Sequence, residues 1–376
     1  MTSGVVDADV VVMGAGIFGV STAIALQDAG FARVLLFDKW GAGNPRATSS
    51  DQSRIIRAAY GEKRLYTRWS WESLDSWKKW ERETGVQMFV PTGVLWLAGQ
   101  DAAFPASSLA AMRELDIPVE ALPVGEAARR FPQFSGVSDC AAIYEPEAGL
   151  LLARQSLLAL VEMFQRRGGT VFPDPAPDAM PDTTGGCCGL AGSAGACVFA
   201  CGPWLRTLFP DLLRDRLRVT RQEVFYFKTS SSDFDPGRFP TWIDEGSQAG
   251  QEFSFYGMPR LNGNVKISSD IRGPEFDATD GDRTPSKEGE SAAREYLARR
   301  FPALAGAELS DARVCQYEQT PDSHLIVDRH PVLPNTWIAG GGSGHGFKLG
   351  PAVGRLVAQC VLNNSRDEIP PEVRLH

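Results

Sequence analysis

ADVVVMGAGIFGVSTAIALQDAGFARVLLFDK, residues 8–39, decides the fold. Residues 10–13 are apolar without alternation, the pattern of a strand buried on both faces of a parallel sheet. Gly14, Gly16 and Gly19 follow as G-x-G-x-x-G. Residues 17–29 carry apolar positions at helical spacing, and Gly30 stops them. Residues 33–37 read as a second strand that ends at Asp38. In such a unit the first glycine allows a tight turn and the second lets a pyrophosphate approach the backbone. The third lets the helix pack on the strand. Asp38 stands where an acid bonds a ribose hydroxyl. The unit predicts dinucleotide binding. It does not separate FAD from NAD, although its place at the N-terminus favours FAD.

The rest of the chain narrows the class. Its 376 residues suggest two domains, or one large domain with a second inserted. Net charge is −8 with no long basic run, which argues against a nucleic-acid partner. No charged segment precedes an apolar run at the N-terminus, so no signal peptide is expected. Residues 183–205 lack charge but are only weakly apolar, and they read as a hairpin and buried strand rather than a membrane helix. Of seven cysteines, Cys187, Cys188, Cys197 and Cys201 cluster in CCGLAGSAGACVFACG with no His or acid nearby. That cluster predicts no metal, and free thiols in a reducing cytoplasm are expected. Within residues 195–210 a strand ending at Ala200-Cys201-Gly202 precedes Trp204, a place for a ligand to pass close by. Near the C-terminus, SGHGFKLGPAVGRLVAQ (343–359) encloses His345 and Lys348 in a glycine-rich turn. The helix that follows, with Val353, Leu356, Val357 and Cys360 on one stripe, offers free N–H groups and a positive dipole end.

Six motifs occur in order: the G-x-G-x-x-G turn, SSDQSRIIRAAYGE (49–62), VFACGPW, FSFYGMPRLNGNVKISSD (253–270), RVCQYEQTPDSHLIVDRHP (313–331) and GGGSGHGFKLGPAVG (340–354). Together they resemble the FAD-dependent amine oxidases of the monomeric sarcosine oxidase family, within the D-amino-acid-oxidase-like group. N-methyltryptophan, pipecolate and fructosyl-amino-acid oxidases are similar. The resemblance spans nearly the whole chain. It implies an α/β fold (α+β mixed), with a Rossmann-like FAD-binding domain interwoven with a substrate domain on a mixed β-sheet. Residues 1–85, 150–215 and 315–376 are expected in the FAD domain, and 86–149 and 216–314 in the substrate domain. The apolar patterns agree, with helices at 64–85 and 154–167 and strands at 90–97, 219–227, 253–257 and 264–267.

The site is implied by the same resemblance. Cys315 would bond the flavin through a thioether, with Arg313 as a helping cation. Its composition alone reads as an inert buried cysteine. Arg57 would grip a substrate carboxylate through its fork, with Lys348 as the second ligand opposite. Tyr256 would lie near the substrate. Lys266 is placed where the family activates oxygen, since a cation beside the flavin stabilises superoxide. Arg54 and Tyr317 would lie beside the flavin and the substrate cavity. His345 would pack or hydrogen-bond beside the flavin rather than act as a base. The cofactor would touch Gly14, Gly16, Ile17, Phe18, Gly19, Asp38, Lys39, Ser50, Ser53, Arg54 and Val171. It would also touch Ala200, Gly202, Trp204, Gly342, Gly344, His345, Gly346 and Lys348. Asp270 stands where sarcosine oxidases carry histidine, which puts plain sarcosine in doubt as substrate. The implied activity is oxidation of an N-substituted or cyclic amino acid to an imine, with O2 reduced to H2O2, by a cytoplasmic monomer with no membrane partner. A flavin dehydrogenase feeding a carrier, a nicotinamide enzyme and a non-catalytic flavin-holding subunit are the alternatives.

Overall fold

The opening unit folds as its pattern requires. In a computed structural model, which describes residues 8–99, 102–172, 194–245 and 254–375, strand Ala8–Met13 leads into helix Ile17–Asp28 and strand Val34–Phe37. Gly14 has φ +100°, and a Cβ there would lie 2.4 Å from the Ala200 carbonyl oxygen. A Cβ on Gly19 would lie 1.8 Å from the Gly14 carbonyl oxygen, so helix and strand meet backbone to backbone. Gly19→Ala gains at most about 1 kcal/mol of helix propensity and meets an immovable backbone atom. We expect a net loss of about 1–3 kcal/mol or more, seen as a lowered thermal midpoint.

Around this unit runs a six-stranded sheet in the order Ile326–Arg329, Thr336–Gly340, Ala194–Phe199, Ala8–Met13, Val34–Phe37, Thr170–Phe172. Its pairings are parallel except the one between Ile326–Arg329 and Thr336–Gly340. Residues 10–13 and Val34–Phe37 are unbroken apolar runs because helices cover the sheet. Helices Ile17–Asp28, Arg64–Thr84, Ala153–Arg166 and Gly350–Asn363 bury Ile24, Trp77, Leu160 and Val353 in one core with Val10, Val12 and Leu36.

The second sheet has eight strands in the order Leu309–Gln319, Arg218–Lys228, Asn264–Ser269, Phe255–Leu261, Thr241–Asp244, Val94–Ala98, Ala141–Glu145, Glu120–Leu122. Thr241–Asp244 runs parallel to Val94–Ala98 and the other pairs are antiparallel, so the sheet is mixed. Its core is aromatic, with Tyr296 stacked on Trp242 at 5.3 Å and on Phe255 at 4.4 Å. A small sheet of Arg54–Ile56, Gly149–Leu151 and Phe89–Val90 carries the arginine motif.

Some expectations shift. The strand expected at 90–97 is two strands in different sheets, because Pro91 and a left-handed Gly93 (φ +66°) turn the chain between them. The strand expected from residue 253 begins outside the described residues and is observed over Phe255–Leu261. The 183–193 part of the expected hairpin, with Cys187 and Cys188, also lies outside them, and the strand that follows is Ala194–Phe199. Cys201, Cys315 and Cys360 are free thiols, and Cys140 is outside any disulfide. Cys197 is disulfide-bonded, so the expectation of free thiols fails there. Among the described residues no helix is long and apolar enough to cross a membrane.

Candidate active site

A cavity of about 670 Å³ lies where the two large sheets face each other, in the upper part of the range for cofactor and ligand sites. One wall comes from the opening unit. Gly16 caps helix Ile17–Asp28 without a side-chain hydrogen bond. Among the described residues, only the Ile17 amide of its first turn finds a partner outside the helix, Ser49 Oγ at 3.1 Å. A helix start left open in this way suits an anion. Asp38 ends its strand on the same wall, accepting from the Ala15 amide at 2.8 Å and the Trp40 amide at 3.0 Å. Burial raises its carboxyl, and these amides oppose the shift. Trp40 and Trp204 meet at 4.6 Å beside it.

Behind the opposite wall, two cations share one acid. Lys266 Nζ lies 2.5 Å from Asp51 and 2.8 Å from the Ser53 carbonyl. Arg54 also pairs with Asp51, and the Tyr226 hydroxyl donates to the same carboxylate. Burial would raise the Asp51 carboxyl, but Lys266 and Arg54 outweigh it and hold the group well below the usual range. Burial pushes Lys266 down to about 8 against the pull of Asp51. The outer side of Arg54 faces the cavity, where Nη2 lies 3.6 Å from Cys315 Sγ. Arg313, the cation expected to help Cys315, is instead paired with Asp311 at 2.8 Å.

A second pair of cations has no acid of its own. Lys348 is buried (4% exposed), donates to the His345 carbonyl at 3.1 Å and stands 5.2 Å from the Tyr60 ring centre. Arg57 is held between the rings of Tyr60 at 4.7 Å and Trp96 at 4.5 Å. Among the described residues neither side chain is in an ion pair. Burial, then the nearby Arg57, lowers Lys348 well below its ordinary value. The acid nearest this pair, Glu145, is occupied by the amides of Ala58 at 2.6 Å and Ala59 at 3.1 Å. His345 accepts from the Tyr60 hydroxyl at 3.2 Å through Nδ1. Its Nε2–H donates to the Ser323 carbonyl at 2.9 Å, which fixes the tautomer. Burial and Lys348 keep the ring neutral. With both nitrogens engaged, His345 orients the turn and has none free to take a proton.

The eight-stranded sheet closes the cavity. Tyr317 donates to Asp270 at 3.1 Å, and Asp270 pairs with Arg272 at 3.2 Å. Tyr256, Tyr317, Asp270, Arg272 and Trp96 all line the space.

This arrangement of an open dinucleotide turn facing cations agrees with comparisons to known proteins. The family model described as DAO, FAD dependent oxidoreductase, matches residues 9–360. The chain belongs to this family. It is 31% identical over 367 residues to monomeric sarcosine oxidase from Streptomyces avermitilis, covering 95% of this chain and 94% of that protein. It is 25% identical over 368 residues to N-methyl-L-tryptophan oxidase from Salmonella typhimurium, covering 95% of each. In fold it matches L-proline dehydrogenase from P. horikoshii with a TM-score of 0.83, at 21% identity over 97% of this chain and 96% of that one. Glycine oxidase from Geobacillus kaustophilus matches with a TM-score of 0.78, at 20% identity over 98% of each chain.

The DAO-family cofactor fits the cavity on the chain's own features. The uncapped helix start suits a pyrophosphate, and added Cβ atoms on Gly16 and Gly342 would meet nothing closer than 3.5 Å and 3.8 Å. These glycines leave room for a ligand at the backbone. Of the residues expected at the site, Gly14, Gly16, Ile17, Phe18, Asp38, Lys39, Arg54, Arg57, Ala200, Gly202 and Trp204 line the cavity. So do Tyr256, Asp270, Cys315, Tyr317, Gly342, Gly344, His345, Gly346 and Lys348. Five expected residues do not. Gly19 packs under Gly14, and Ser50 donates its amide to Ala47 within the loop. Ser53 donates from Oγ to Met258 Sδ at 2.8 Å. Val171 pairs with Leu36 in the six-stranded sheet, and Lys266 stands behind Asp51. Asp51, Trp96, Arg272 and Glu318 escaped the sequence reading. Only Asp51, an acid three positions before Arg54, carried a signal worth pursuing.

Proposed function

We propose that this DAO-family protein oxidises the amine of an amino-acid-like substrate to an imine. The carrying observation is the pair Arg57 and Lys348, cations without an acid of their own beside a dinucleotide turn. A substrate carboxylate would complete them, Arg57 through its fork and Lys348 as a point charge. Tyr256, Tyr317 and Trp96 would then shape the space for the rest of the molecule. FAD, when bound, would take the two electrons released as the C–H and N–H bonds break and C–N becomes C=N. The amine gives up two protons with them, so it reacts in its neutral form. Asp270 is balanced by Arg272 and accepts from Tyr317, so it adds little net charge and polarises that side of the pocket. The relatives named for N-methyl amino acids support a secondary amine as the substrate class. Oxygen uptake and peroxide formation should appear with at least one N-methyl, cyclic or sugar-conjugated amino acid. No turnover with any of them, under O2 or with an artificial electron acceptor, would overturn the assignment.

The thioether belongs to this proposal. Cys315 Sγ lines the cavity with Arg54 Nη2 3.6 Å away, so the sulfur can reach a bound flavin. Yellow colour should stay with acid-precipitated wild-type protein and move to the supernatant for Cys315→Ser. Release from the wild type would remove the covalent role of Cys315.

Carboxylate binding should also take up protons. Lys348 is depressed by burial and by Arg57, with the charges of Glu145 and Asp270 opposing the shift and His345 lining the same space. An anion seated opposite it favours the charged form and raises its pKa. Affinity for an amine-free carboxylate inhibitor therefore falls as pH rises between the free and bound values. Calorimetry in two buffers of different ionisation enthalpy should detect the uptake, and Lys348→Met should abolish it.

A second reading is favoured by one contact. Lys266, the cation assigned to oxygen, is held by Asp51, so the Asp51, Arg54 and Lys266 cluster carries one net positive charge rather than two. A weaker positive field slows electron transfer to O2 and suits a dehydrogenase that hands electrons to a carrier. Turnover with an artificial acceptor well above that with air would select it.

A further inference from the structure

Glu318 lines the cavity, follows Tyr317 and has no role in the reaction derived above. Alternation along strand Leu309–Gln319 sends it away from the Tyr317 side, towards the glycine turns of the six-stranded sheet. It is 6% exposed. Among the described residues Oε1 makes no hydrogen bond of good geometry, the Gly341 and Gly342 amides only approaching the carboxyl, and it packs against Gly340, where an added Cβ would lie 2.7 Å away. Oε2 faces Gly202, 3.9 Å from where a Cβ would stand. Among the described residues no Lys, Arg or His pairs with this carboxyl. A carboxylate with one oxygen buried away from good donors is costly, so burial favours the neutral acid. Oε1 is then the carbonyl oxygen, and the proton sits on Oε2, the oxygen beside cavity-lining Gly202.

We propose that Glu318 is a protonated acid that donates a hydrogen bond to an acceptor oxygen in the linking part of FAD, a phosphate or ribityl oxygen. The placement rests on neighbours. Gly202 is two residues past Ala200, whose carbonyl packs on Gly14 of the pyrophosphate turn. On the other side Glu318 adjoins Gly341 and Gly342, and its own carbonyl accepts from the Ser343 amide at 2.7 Å. The carboxyl therefore stands between the pyrophosphate turn and the turn that carries His345 and Lys348. A charged carboxylate there would repel a dinucleotide, whereas a carboxylic acid binds it.

Burial lifts the Glu318 carboxyl to about 7, with the amides of Gly341 and Gly342 opposing. The titratable group facing it is Cys201, which also interacts with Asp38. Burial pushes the Cys201 thiol far up, so it stays neutral throughout the range that matters. An acceptor on FAD stabilises the protonated form further. Binding therefore takes up a proton above about pH 7, and affinity falls by up to about tenfold per pH unit.

The inference rests on the FAD reading, and the test separates the two. FAD binding is measured by flavin fluorescence quenching with full-length apoprotein carrying Cys315→Ser, so that binding is reversible whether or not the thioether forms. Between pH 7 and 9 the parent should weaken about tenfold per unit. Added Glu318→Gln should bind within a few-fold of the parent at pH 6.5 and lose that dependence, because the amide donates without titrating. Glu318→Ala should bind about tenfold more weakly at pH 6.5. ADP carries the pyrophosphate without the ribityl chain: the same pH slope with ADP places the bond on phosphate, and a flat response places it on the ribityl chain. A Gln variant that keeps the parent's slope would overturn the proposal. Failure of every variant to bind FAD at any pH would overturn the cofactor assignment, and the role of Glu318 with it.

Discussion

Arg57→Met should cut kcat/KM for the amino-acid substrate by about a hundredfold or more. Arg57 sits between two aromatic rings, with one Nη donating to the Ala59 carbonyl and no ion pair among the described residues. A charge-assisted bond to a carboxylate contributes about 1.5–3 kcal/mol, and a forked pair supplies two. Loss of about 3 kcal/mol is a factor of about 10². The effect should fall mainly on KM, because the carboxylate is gripped equally in the ground and transition states. Methionine keeps much of the contact with Tyr60 and Trp96, so the fold should persist. The matching control is a substrate lacking the carboxylate: it should be poor with the wild type and no worse with the variant. Equal loss on both substrates in steady-state kinetics would remove Arg57 from carboxylate binding.

Asp51→Asn should destabilise the protein by about 3–5 kcal/mol, the usual cost of breaking a buried ion pair from one side. It leaves Lys266 and Arg54 as neighbouring buried cations. Burial already brings Lys266 down to about 8 with Asp51 opposing the shift, so without Asp51 it loses its proton at a still lower pH. The loss should therefore be largest in mild acid, shrink as pH rises towards 8 and stay level above it. In the wild type the sign is the usual one for a depressed carboxyl. The Asp51 contribution is present above the unfolded value of about 4 and fades only as pH falls below it. Adding Lys266→Met to Asp51→Asn should restore most of the stability, whereas Lys266→Met alone leaves the Asp51–Arg54 pair intact. Chemical unfolding midpoints across pH measure all four proteins. Additive losses, with no rescue in the double variant, would contradict the shared network.

The features legible in the sequence were local ones. The G-x-G-x-x-G turn, its strand and its helix lie within one short segment, and the glycines are required by atoms only a few residues away or directly beneath them. Helix Arg64–Thr84 was legible as a run rich in Trp and Tyr over 64–85, and the structure ends it at the left-handed Gly85. The Asp51–Lys266 contact spans 215 residues, and no periodicity reports a pairing that depends on how two sheets meet. Arg54 rather than Arg313 reached Cys315 for the same reason, since the partner comes from another strand. Glu318 was hidden differently. It adjoins Tyr317 in sequence, but alternation places it on the other face, where only the folded Gly340–Gly342 turn reveals a carboxyl with one oxygen buried away from good donors.

The most direct test of the account is an anaerobic titration of the purified yellow protein with N-methyl and cyclic amino acids, following the visible flavin band. The account predicts that at least one of them bleaches the band, that the same amine without its carboxylate does so far more slowly, and that Arg57→Met narrows the difference. A flavin that dithionite bleaches but no amino acid does would contradict it.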